Sequence, residues 1–135
     1  GFKRLAAYVA SRNAGDVYSM AHTASGALHF GIAEEKLLAA PDYRDSALFT
    51  PAEKAALDLA VAASSSPIAV TDALFAELRK HWSEEQIVEL MGVIAVAGFL
   101  ARRNVAMATP IEPEPLEVGE RVLAPQGWSP GAHRR

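Results

Sequence analysis

The chain has 135 residues, enough for one domain around one core, is half apolar, and carries a formal charge of −3. That mild acidity argues against a nucleic-acid partner, which needs a basic surface to displace counterions. The absence of cysteine excludes disulfides, thiolate metal sites and any catalysis by a thiol of this chain.

The first residues, Gly1-Phe2, precede a segment from Lys3 to Arg12 that already has helical character, with Leu5, Tyr8 and Val9 on one stripe. Either residues are missing upstream or the first helix is truncated. Asn13-Ala14-Gly15 stops or kinks this helix, and Asp16 is placed to cap a second one from about Val17 to Phe30, closed by Gly31. A short helix over Ala33–Ala39 has Glu34 and Glu35 in its first turn, where they suit the helix dipole. Residues 41–48 read as a polar loop. Thr50-Pro51-Ala52-Glu53 is a helix start, with Thr50 as N-cap, proline at the first position and Glu53 completing a capping box; the helix runs to about Ala63.

Ser64-Ser65-Ser66-Pro67 breaks that helix, and Thr71 caps the next, Asp72 to His81. Ser83 caps the last long helix, with Glu85 or Gln86 near its third position. The apolar stripe of this helix is Ile87, Leu90, Met91, Ile94, Ala97, Ala101 and Val105. Its most apolar run, Leu90 to Ala101, is interrupted by Gly92 and Gly98 and falls short of the roughly 18 residues that span a bilayer. It reads as a buried core helix whose glycines permit close packing, with Met91, Ile94 and Met107 in the core. No signal peptide is visible, so no membrane partner and a cytoplasmic location are expected. Five prolines and three glycines between Pro110 and Gly131 predict an extended tail over residues 110–135, after an all-α domain over residues 1–109.

The stretch from Arg12 to Thr23 resembles the core motif of the carboxymuconolactone decarboxylase and AhpD-like alkylhydroperoxidase superfamily, Asn-x-Cys-x-x-Cys-x-x-x-His, with His22 on the motif histidine. Gly15 stands at the first cysteine position and Tyr18 at the second. The likeness continues through Gly31–Leu37, Asp42–Ser46, Phe49–Glu53, Val70–Phe75, Trp82–Leu90, Arg102–Ala106 and Gly127–His133, in order and with similar spacing. The resemblance implies an AhpD-like helical fold whose long helices pack between subunits, in dimers that assemble into trimers or hexamers. It also implies an acidic relay residue on the preceding helix, which Lys3 or Arg4 replaces here.

Thiol peroxidase chemistry, in which one thiolate attacks peroxide and the other resolves it as a disulfide, has no residues to run on in this chain. Tyr18 and His22 remain, four apart on one helix face. A histidine serves as general acid or base near neutral pH, a tyrosine one turn away donates to a developing oxyanion, and Asp16 is placed to orient either. This points to cysteine-free decarboxylase or lyase chemistry on a small carboxylate or carbonyl compound, with no cofactor implied. Alternatively, the pair is packing, and the chain is a non-catalytic descendant serving as an oligomeric scaffold for a ligand or protein. A metal site of His22, His29 and Glu34 or Asp16 ranks last, because the helix supplies at most two ligands from one face. His81 reads as structural at a helix end and His133 as solvated. Arg102 and Arg103 can grip a carboxylate or form a solvated face.

Overall fold

A computed structural model describes residues 1–134, which form seven α-helices and no strand. They are α1 (Phe2–Asn13), α2 (Val17–His29), α3 (Glu34–Leu38), α4 (Pro51–Ser64), α5 (Asp72–Leu78), α6 (Glu84–Met107) and α7 (Pro113–Val118), joined and followed by short 3-10 and π turns. The all-α expectation holds, and the helix starts lie where their caps were read. Asp16 accepts from Ser19 N, Thr71 accepts from Leu74 N, and reciprocal capping boxes join Thr50 to Glu53 and Ser83 to Gln86. Gly15 and Gly31 follow α1 and α2 in the left-handed region, at φ 71° and 89°, which closes each helix cheaply.

The core is built on α1, which packs against α2, α4 and α6. Seven consecutive residues of α1, Leu5 to Ser11, are buried. Alanines 6, 7 and 10 let the neighbouring helices approach, while Leu5 and Tyr8 fill the space between them. From α2 come Met20, Ala21 and Ala24, and from α4 Leu57, Leu59 and Ala60.

The long helix α6 departs from the reading as a buried core helix. Ile87, Leu90, Ile94 and Ala97 are buried, but Val96, Phe99 and Val105 are more than half exposed and Met107 is 69% exposed. The stripe seats α6 on α1, α2 and α4, while Val88, Val96, Phe99, Leu100, Val105 and Met107 are left exposed. Gly92 and Gly98 do not mediate close packing: a Cβ at Gly92 would meet nothing within 4 Å, and one at Gly98 only the Arg102 side chain. By length and composition α6 alone among the described residues could cross a membrane, with 22% of its apolar window buried.

The tail, expected to be extended, is folded instead. Glu112 stands at the N-cap and Pro113 at the first position of α7, where a missing N–H costs nothing. The chain then turns through residues 119–126 and folds back on α2. Ile111, Val122, Leu123 and Trp128 are buried. The Trp128 indole lies across Gly119, where a Cβ would come within 2.5 Å of the ring, and its Nε1 donates to Val17 O at 3.0 Å. Pro and Gly content measures how badly a segment holds a long regular helix; it does not count the apolar side chains that dock a short one.

Candidate active site

The site grows from the exposed side of α2. Its inner side, with Met20, Ala24 and Ala27, is packed into the core. Tyr18 and His22 stand one turn apart on the outer side, as the four-residue spacing requires, and their rings stack with centroids 4.2 Å apart and planes 23° apart. The returning tail brings Glu112 to them. His22 Nε2 lies 2.6 Å from Glu112 Oε2, and the Tyr18 hydroxyl donates to the same oxygen at 3.3 Å. His22 Nδ1 lies 3.1 Å from Tyr18 O. Both ring nitrogens thus face acceptor oxygens, so both can donate only in the imidazolium form. The result is a histidine–carboxylate pair with a phenol on the same carboxylate, at the surface: the His22 side chain is 30% exposed and that of Glu112 61%.

Burial pushes the Glu112 carboxyl up, but its own backbone N–H, the His22 ring and the Tyr18 hydroxyl together hold it below the usual carboxylate range. Tyr18 is raised, first by burial and then by the charge of Glu112 and the hydrogen bond to it, against the pull of Arg103 on α6. Tyr18 therefore stays a neutral donor through the physiological range, while Glu112 stays ionised.

Of the sequence-derived candidates, the structure unites Tyr18 and His22 and sets Asp16 apart. Asp16 is fully buried and spends Oδ1 on the Ser19 N–H; the orienting carboxylate is Glu112 instead. His29 does not share a groove with His22. Seven residues on, it lies about 10 Å further along the axis, exposed and edge-on to Phe30. Among the described residues no three His, Asp or Glu side chains gather into a metal-sized cluster. His81 faces Glu77 Oε1 at 3.3 Å on the surface. His133, read as solvated, is buried: its Nδ1 lies 2.8 Å from Thr109 O, its carbonyl accepts from Ile111 N, and its ring is 5.7 Å from that of Tyr18. Lys3 pairs with Glu89, so the position of the expected acidic relay serves a surface ion pair between α1 and α6. Arg102 and Arg103 bond within α6, to Gly98 O and Asn104 Oδ1. Glu112 is absent from the sequence-derived candidates because residues 110–135 read as an extended tail; the Glu112-Pro113 helix start is the local signal that points to it.

This fold has counterparts in known proteins. A crystal structure of the debrominase Bmp8, a cysteine-to-alanine variant in complex with 2,3,4-tribromopyrrole, superposes with a TM-score of 0.83 at 34% identity, over 90% of this chain and 65% of that one. The protein of unknown function ATU0492 from Agrobacterium tumefaciens, likened by name to the antioxidant defence protein AhpD, superposes with a TM-score of 0.73 at 25% identity, over 78% of this chain and 73% of its own. The chain has an AhpD-like all-α fold and no cysteine. In sequence, the uncharacterized protein YnjA of Escherichia coli is 41% identical over 78 residues, 58% of this chain and 43% of YnjA. The AhpD-like chain thus spans less than half the length of that curated relative and about two thirds of Bmp8. No family model matches it.

Proposed function

We propose that the Tyr18–His22–Glu112 cluster is a proton-transfer site for a small carboxylate or carbonyl compound, carrying decarboxylase- or lyase-type chemistry without a thiol. The observation behind this reading is the 2.6 Å His22–Glu112 contact with the Tyr18 hydroxyl on the same carboxylate. In this reading Glu112 holds the imidazolium, His22 Nε2 gives a proton to the carbanion or enolate left after bond cleavage, and the Tyr18 hydroxyl turns from Glu112 to the developing oxyanion. Partial exposure lets a substrate displace Glu112 from the ring.

The test is turnover of small β-keto and aromatic carboxylates, with 2,3,4-tribromopyrrole included because Bmp8 was solved with it. Product release is followed by NMR for the parent chain and for His22→Gln and Tyr18→Phe. Loss of a general acid lowers the rate by about 10²–10⁴-fold, so H22Q is expected to be silent and Y18F partly active. Turnover that H22Q leaves unchanged defeats the proposal.

A second reading, a non-catalytic oligomeric scaffold, is favoured by one observation: neither the cavity between α4 and α5 nor the groove beside α6 is lined by His22 or Tyr18. Under either reading we propose that a second copy of the chain covers the exposed face of α6, because Val96, Phe99, Leu100 and Met107 leave large apolar side chains in water. Sedimentation over a range of concentrations tests this.

A further inference from the structure

On the other side of α2's first turn lies a groove of about 1010 Å³, between the α1–α2 junction, the end of α4 and α6. Its α6 wall is mostly apolar, with Met91, Ile94, Ala97 and Val105, and also carries Arg102, whose guanidinium donates back to Gly98 O at 2.9 Å. Against that wall stand two polar residues, Ser11 and Asp16, which are 1% and 0% exposed. Ser11 Oγ and Asp16 Oδ2 are both buried without a hydrogen-bond partner. A buried carboxylate oxygen left unmatched is costly, and native proteins keep few of them. Asp16 Oδ1 already satisfies the helix cap, so the cap does not explain Oδ2.

We propose that this groove binds a small organic cation, a primary ammonium group on an apolar body, with the ammonium on Asp16 Oδ2 and Ser11 Oγ and the body along α6. A carboxylate and a hydroxyl suit the three donors of an ammonium, and an apolar wall offers nothing to a hydrated metal ion. The site is separate from the Tyr18–His22–Glu112 cluster, and the inference does not depend on the activity proposed there.

The experiment is calorimetric titration of the purified chain with 2-phenylethylammonium and with 2-phenylethanol, which has the same body without the charge. The amine is expected to bind at one site at least about tenfold more tightly than the alcohol, the scale of one charge-assisted hydrogen bond. Asp16→Asn keeps an N-cap acceptor and should abolish that preference. Ala101→Phe fills the groove from α6, leaves Asp16 alone, and should remove binding of both ligands at unchanged helical circular dichroism. Equal affinity for amine and alcohol, a preference that survives in D16N, or no binding by a well-folded chain overturns the proposal. The last result, joined to a dimer by sedimentation, would assign the groove to a second copy of the chain.

Discussion

Helices α1 and α6 are both rich in small and apolar residues, yet they sit in opposite circumstances. Along α1, seven residues in a row are buried; along α6, twice as long, only Ile87, Leu90, Ile94, Ala97 and Asn104 are. The alanines of α1 let three helices close around it, so its apolar side chains are covered. The apolar side chains of α6 are spread round the helix, and the described residues cover only one side of it. Apolarity therefore states that a face needs a partner, while only the fold shows whether that partner belongs to the same chain.

Substitutions can break or sharpen this contrast. The largest effect is expected for Leu5→Ala in α1: a fully buried leucine cut back in a packed core costs about 2–5 kcal/mol, read as a lower urea midpoint. Next is Gly119→Ala, which drives a methyl into the Trp128 ring. Overpacking of that kind costs about 1–3 kcal/mol. It should also loosen the tail, detected as faster hydrogen exchange over residues 109–134 with α1 still protected. Glu112→Gln should cost under about 1 kcal/mol, since an exposed ion pair is worth little.

The sign of its pH dependence follows from the lowered Glu112 carboxyl. The contribution is present above the ordinary carboxylate range and fades as pH falls through and below it. The stability gap between parent and E112Q should therefore close in acid; a gap that widens there would contradict the pairing. The smallest effect belongs to Phe99→Ser on the outer face of α6, within about 0.5 kcal/mol for the isolated chain. Its signature lies in sedimentation, as weaker self-association.

The two halves of the site differ in the same way as the two helices. Tyr18 and His22 were legible because both lie on one helix, where the 3.6-residue period fixes their relation before any packing occurs. Glu112 lies 90 residues from His22, so no local period joins them. That contact depends on the docking of Trp128, Val122 and Leu123 against the body of the domain. Asp16 shows the converse. The sequence identified it correctly as a helix cap, but only the packing revealed that its second oxygen is buried beside a groove and not beside His22.

By itself the sequence determined the helical class, the helix starts, the stops at Gly15 and Gly31, the Tyr18–His22 pair and the resemblance to AhpD-like proteins. These rest on interactions within a few residues, where side-chain spacing and capping chemistry suffice. The tertiary structure alone decided that α6 keeps an uncovered apolar face, that the proline-rich tail folds back as α7, and that Glu112 and His133 reach α2. Those outcomes depend on which distant surfaces bury one another, a competition settled by packing across the whole domain and not by any local pattern.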